Sequence, residues 1–323
     1  MVRKKSIFRT IGFWSLIIVL VVFVAYPFAY MVSVSFRNDT DAFEKGLIPE
    51  NPTFDTYLQL LGFKESIREE LSDEQRQLQE LVKNLPAEKQ EEILGNIAAE
   101  RKKESFPFIR FFRNSLLIAG LSALFSLIIS ILGAYAFSRV WFPGRGLVQR
   151  GVLLVYLFGG TILAVPLYQI FVNIGLTGSG PKGMVSLFII YIVQTLPVSL
   201  YMLGNYFRTI PETIEEAAII DGSSRFGVIW RIIIPLSLPA IITVFIYAFM
   251  IAWNEYLFAS IFVRAYPQFH TLPIGLNEIF YSEHAIWAKM MAASVLTSIP
   301  VVGLFMLMQK YLTGGLTAGG VKE

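Results

Sequence analysis

Cysteine is absent from all 323 residues, which excludes a disulfide framework and any thiolate metal centre. Histidine occurs only as His270 and His284. Their spacing matches no standard metal-ligand pattern, so both read as surface-loop residues and no metal is assigned. The chain also lacks Gly-x-x-x-x-Gly-Lys-Ser/Thr, and with it any phosphate-cradling loop of its own. No nucleophile stands out beside a base, so no residue is assigned as catalytic, and no cofactor is implied. Charge is sparse: Asp, Glu, Lys and Arg make up 16%, with a net charge of +3. No nucleic-acid partner is expected.

Apolar residues are what the chain has in excess. They make up 54%, and the mean hydropathy is +0.58, too apolar for an ordinary soluble domain. Charge-free runs span Ile11–Phe36, Asn114–Ser138, Gly151–Gly180, Gly183–Phe207, Ile232–Asn254 and Met290–Gln309. Each supplies the ~20 residues a helix needs to cross ~30 Å of hydrocarbon. The expected fold class is an all-α membrane protein of six transmembrane helices. Pro166 and Pro197 fall inside two runs, where neighbouring helices satisfy the freed carbonyls. The first run is too long for a signal peptide and lacks a small-x-small cleavage site, so it reads as a retained anchor. Lys and Arg number twelve in the short segments on the side of both termini and three in the short loops opposite. The termini are therefore expected in the cytoplasm.

The first outer loop, 37–113, holds a charged insert at about 63–104. Within it Ile67, Leu71, Leu78, Leu81 and Leu85 keep a helical stripe, as do Ile93, Leu94 and Ile97 beyond Pro86. Ser72 and Gln75 fit a capping box. Two readings stay open, an amphipathic helical hairpin and a solvated spacer. The third outer loop carries Tyr266, Phe269, Phe280, Tyr281 and Trp287, aromatics of the kind that form an interfacial belt. Glu255, beside Asn254 at the outer end of the fifth run, is an ionisable residue at membrane depth. Such a residue marks either a functional position in the pathway or a hydrogen-bond hub.

One long segment faces the cytoplasm, Pro211 to Pro235. Pro211 suits a first helical turn, and Glu212, Glu215 and Glu216 favour the positive end of a helix dipole. Gly222 supplies a left-handed stop, and Ser223 or Ser224 can cap a second helix. That helix is expected to run through Trp230 and Ile233 until Pro235 bends it into the next span. Ile214, Ala217 and Ala218 form the apolar side of the first. The segment is a helix–elbow–helix at the membrane surface.

Glu216-Ala217-Ala218, then Gly222, then Ile232, Ile234 and Pro235 resemble the EAA loop of permease subunits of binding-protein-dependent ABC importers. Ile234 stands where that pattern has Leu. The resemblance implies the type I ABC importer permease fold and a coupling helix seated in a cleft of an ATPase subunit. Glu215, Glu216, Ala217, Ala218, Asp221, Gly222 and Pro235 would carry the coupling. Tyr135-Ala-Phe-Ser-Arg139, Phe142-Pro-Gly144 and the terminal Gly-Leu-Thr-Ala-Gly-Gly-Val-Lys narrow the likeness to carbohydrate importers of the maltose type, the MalG group. By itself the Gly-rich tail 313–323 reads as disordered. The resemblance places Thr317, Ala318, Gly319, Gly320, Val321 and Lys322 at the ATPase interface instead. It also implies that Tyr266, Phe269, Phe280 and Tyr281 meet an extracytoplasmic sugar-binding protein.

The expected organisation is an N-terminal segment with the first span (1–36), the outer loop (37–113), a permease core (114–312) containing a coupling loop at 206–236, and the tail (313–323). The implied partners are a second permease subunit, two ATPase subunits, a sugar-binding protein, a sugar and the lipid bilayer. Maltose or maltodextrin leads, and another sugar is the alternative. An ion-coupled secondary transporter, with Glu255 at the ion site, is the rival from another class. A membrane-anchored scaffold would need only one or two spans.

Overall fold

The computed structural model describes residues 7–38, 46–64, 106–157, 159–280 and 287–318. Nearly all of the insert, Tyr281, His284 and Gly319–Lys322 lie outside the described residues. Among those described, all regular structure is helical, as the apolar runs predict. In chain order the helices are α1 (Ile7–Ser35), α2 (Asp55–Leu60), α3 (Phe108–Arg139), α4 (Arg145–Leu157), α5 (Gly159–Asn173) and α6 (Gly180–Thr209). Then come α7 (Glu212–Ile220), α8 (Arg225–Val228), a π turn (Ile229–Ile233), α9 (Ile234–Leu236) and α10 (Leu238–Trp253). The last are α11 (Leu257–Phe262), a 3₁₀ turn (Pro267–Phe269), α12 (Leu272–Phe280) and α13 (Trp287–Ala318). Among the described residues, α1, α3, α6 and α13 are long and apolar enough to cross a bilayer, and two bent pairs, α4 with α5 and α8–α9 with α10, bring the number to six when each pair counts as one span.

The helices group into two compact units: Met1–Ile109 with Glu278–Leu296, and Arg110–Asn277 with Thr297–Glu323. In the first, only 11% of the most apolar stretch of α1 is buried. A continuous apolar surface of that size requires a covering of lipid or protein. The end of α1 is tied down by polar contacts. Ser35 Oγ lies 2.7 Å from Tyr57 Oη, and the buried Arg37 guanidinium donates to the Gly46 carbonyl.

The second unit is built on a seam between α3 and α6. Ala119, Ala123, Ser126, Ser130 and Ala134 are buried along one face of α3. Small side chains let two backbones approach, and hydroxyls join them. Ser126 Oγ lies 2.7 Å from Thr195 Oγ1. At Gly133 even a Cβ would sit 2.6 Å from Leu200 Cδ2. Towards Tyr135 the seam widens into a core. Leu127, Ile131 and Tyr135 meet Leu203 and Phe207 there, with Val228 and Ile233 from the elbow and Val244 from α10.

The elbow departs from expectation at Pro235. Proline has no N–H for the carbonyl four residues back, and its ring crowds that carbonyl. The strain is taken up just before it, where the Ile234 N–H bonds to the Ile229 carbonyl in π winding. Pro235 itself stays within a helical turn. The sharp bend, 84°, comes after Leu236, at Ser237. The tail also differs from its composition, because the α13 backbone stays helical through Thr313–Ala318. Each Gly costs ~1 kcal/mol in a helix interior, too little to stop one already nucleated.

Candidate coupling surface

α6 ends at Thr209, and Ile210 and Pro211 are extended, with ψ of 126° and 133°. Pro211 therefore caps α7 from outside, and the first turn begins at Glu212. At the other end, the Gly222 N–H bonds to the Ile219 carbonyl at 3.0 Å and the Ser223 N–H to the Ala218 carbonyl at 2.9 Å. This is a Schellman closure, which needs a left-handed residue at its pivot. Gly222 has φ +86°. Ser224 then caps α8, its Oγ accepting from the Gly227 N–H at 3.1 Å. The expected Gly222 stop and serine cap are both present, with Ser224 as the cap.

The two faces of α7 are not those the pattern suggests. Its one buried residue is Glu215, 5% exposed. Arg139 Nε donates to Glu215 Oε1 at 2.6 Å, and Tyr135 Oη donates to Oε2 at 3.2 Å. The same guanidinium donates to Glu212 Oε1 at 3.1 Å and to the carbonyls of Phe207 and Ile210 at 2.8 and 2.6 Å. Glu215 thus faces the end of α3, while Glu216 faces out. Of the apolar side read as Ile214, Ala217 and Ala218, only Ala218 is partly buried; Ile214 and Ala217 are exposed. A carboxylate anchors this helix, which leaves its aliphatic residues free. Ile219 and Ile220 are exposed, Ile220 at 84%. Beyond the turn, Phe226 and Trp230 are exposed with ring centroids 6.3 Å apart. Glu216, Asp221 and Arg225, all exposed, complete the surface.

Sequence reading passed over Tyr135 and Arg139 as site residues, though they close the motif Tyr-Ala-Phe-Ser-Arg. One signal was available. Positions four apart share a helix face, so a tyrosine and an arginine at a span end form a ready receptor for a carboxylate.

Away from the elbow, Glu255 serves as a hydrogen-bond hub. The Phe258 N–H donates to Oε1 at 2.8 Å, and the Ala259 N–H and Tyr191 hydroxyl donate to Oε2 at 3.0 Å each. The carboxylate thus caps α11 and ties it to α6. Asn254 is exposed and donates to its own helix, at the Met250 carbonyl (2.8 Å). The third outer loop is stapled down rather than free. Asn114 Nδ2 donates to the Gln268 and His270 carbonyls, both at 3.0 Å. His270, expected at the surface, is 2% exposed, beside the Phe111 ring and with Nε2 2.8 Å from the Arg264 carbonyl. Its ring packs beside Phe111, a contact between distant positions that local sequence did not show. Tyr266 and Phe269 are half-buried, and a Cβ at Gly180 would lie 2.0 Å from the Phe269 ring. Phe280 is exposed.

Comparison with known proteins gives a consistent picture. The family described as "Binding-protein-dependent transport system inner membrane component" matches residues 141–317. The inner membrane ABC transporter permease protein YcjP of Escherichia coli K12 is 46% identical over 67% of this chain and 76% of its own length. The trehalose/maltose transport system permease protein MalG of Thermococcus litoralis is 31% identical over 94% of both chains. Among solved structures, a chain of a bacterial ABC transporter that imports the polysaccharide alginate superimposes with a TM-score of 0.71. It is 20% identical, and the match covers 96% of this chain and 98% of that one.

Proposed function

The chain belongs to the family of binding-protein-dependent transport system inner membrane components, and from that membership we propose that its elbow is the docking site of a separate ATPase subunit. As a member it is a multi-pass inner-membrane permease of a sugar ABC importer, with a transport role rather than a catalytic one. In the proposed complex it pairs with a second permease subunit, two ATPase subunits and an extracytoplasmic sugar-binding protein. Both termini and the elbow are cytoplasmic. The sugar is maltose or a maltodextrin.

One observation carries the docking reading. The elbow holds Ile219, Ile220, Phe226 and Trp230 exposed on a backbone fixed by a Schellman closure and a serine cap. Such a patch, rimmed by charge, supports a protein interface. Glu216 and Asp221 offer carboxylates to basic groups of the partner. Closure of the ATPase dimer on ATP displaces the elbow, and the spans rock so that the pathway opens to each side in turn. Glu216→Lys reverses the charge and also opposes the helix dipole. Ile220→Asp removes the apolar contact. Both variants are expected to insert and pair with the partner permease yet lose the ATPase on co-purification, with loss of maltose uptake. Full retention of ATPase and uptake by both would remove the elbow from the interface.

A further inference from the structure

α7 is nine residues long, shorter than the ~12–15 at which even a good helix former is more than marginal in water. Its place in the fold must come from outside. Covalently it hangs from α6 at one end and from the π-wound elbow at the other. Its buried surface is the Glu215 carboxylate and part of Ala218. That carboxylate is received by α3, a helix to which α7 has no short chain connection: 73 residues separate Arg139 from Glu212, and 80 separate Tyr135 from Glu215.

We infer that Arg139 and Glu215 form the mechanical joint that makes the second span move with the coupling helix. Arg139 is a positioning residue, and Glu215 belongs to the joint rather than to the docking face. The guanidinium suits this role by shape. Its planar fork donates from Nε and Nη1 to Glu215 and Glu212 of α7, and from Nη2 to the Phe207 and Ile210 carbonyls at the end of α6. Three elements therefore turn about one group. The Arg139 and Glu215 side chains are each 7% exposed, so water offers little competition for the pair. Truncating one partner of such a pair leaves the other charged and buried. Lysine at 139 keeps the charge, but its single ammonium cannot span the same set of acceptors.

The inference rests on the docking reading, and the experiment separates the two. Arg139→Lys, Glu215→Ala and Glu215→Gln are compared with Glu216→Lys in the complete complex. Three quantities are read: ATPase co-purification, hydrogen exchange of the 212–220 amides, and maltose taken up per ATP hydrolysed. Arg139→Lys and Glu215→Ala are expected to retain the ATPase, to exchange about tenfold faster in 212–220, and to move less maltose per ATP. Glu215→Gln keeps the shape without the charge and should lie between them and wild type. It also provides the test if truncation prevents accumulation of the chain. A purely structural role would lower complex yield and leave uptake per ATP in the surviving complexes unchanged. Wild-type exchange and coupling in Arg139→Lys and Glu215→Gln would overturn the inference. So would release of the ATPase by Glu215→Gln, which would place Glu215 on the docking face. Should Glu216→Lys retain the ATPase, docking at the elbow fails, while exchange of the 212–220 amides still judges the joint.

Discussion

Substitution of Gly222 separates backbone conformation from side-chain volume. The residue sits at φ +86°, and a Cβ built there meets no heavy atom of the chain within 4 Å. Any cost within the chain is therefore conformational. An L-residue forced into the left-handed region gives up about 1–2 kcal/mol, and asparagine, which visits that region several-fold more often, gives up less. The chain can instead abandon the turn. It then loses the Gly222 N–H and Ser223 N–H closures, at about 0.5–1.5 kcal/mol for each bond. The two routes cost about the same, so Gly222→Ala should populate both. The expected order of damage is asparagine, then alanine, then the β-branched valine. None of these costs unfolds six membrane-embedded helices, so insertion should be normal. Exchange at the Ser223 amide, read with ATPase co-purification, should follow the same order. Asparagine as harmful as valine would show that space against a partner decides, rather than φ. Valine with wild-type exchange and a retained ATPase would refute the claim that this turn sets the docking face.

Three further predictions concern other sites. In Glu255→Gln, whichever way the amide is placed, its NH₂ faces at least one of the Phe258 and Ala259 N–H groups now bonded to the carboxylate. The loss is about 1–3 kcal/mol, seen as a lower melting temperature in detergent and reduced uptake; unchanged melting would deny the hub its role. Gly183→Ala puts a Cβ 2.6 Å from the Phe262 carbonyl oxygen, while at Gly120 it meets nothing within 4 Å. Melting should fall for the first by the equivalent of about 1–3 kcal/mol and hold or rise for Gly120→Ala. Deleting Gly314–Glu323 should leave insertion intact and lower ATPase stimulation; full coupled hydrolysis would reduce the tail to a mere chain end.

What sequence made legible is what depends on short-range pattern. Spans announce themselves because about 20 apolar residues have few other uses. The elbow was readable because Gly222, Ser224 and the early acids each act within one helical turn. Glu215 and Glu216 were not separable by such means. They are neighbours of the same type, about 100° apart around α7, and which of them turns inward depends on Arg139, 76 positions away from Glu215. The burial of His270 likewise depends on Phe111 and Asn114, from the start of the second span. Pro235 illustrates another limit. Proline predicts a disturbed helix, but whether the chain answers by bending or by widening its winding is settled by packing around Ile233.

The π turn at Ile229–Ile233 also governs which changes of length the elbow can absorb. In plain α winding, residues five apart point about 140° away from each other. Val228 and Ile233 are nevertheless both fully buried in the same core. A π turn is what an α-helix becomes when given one residue too many, with the surplus absorbed locally. Removing Ile232 should restore ordinary winding and leave Phe226 and Trp230 facing outward as before, at the expense of returning the proline ring to the carbonyl four residues before it. Adding a residue finds the slack already used, and should turn those rings by about 100°, away from any surface that reads them. Between Gly222 and the fifth span, the loss of one residue is therefore expected to disturb the exposed rings less than the gain of one.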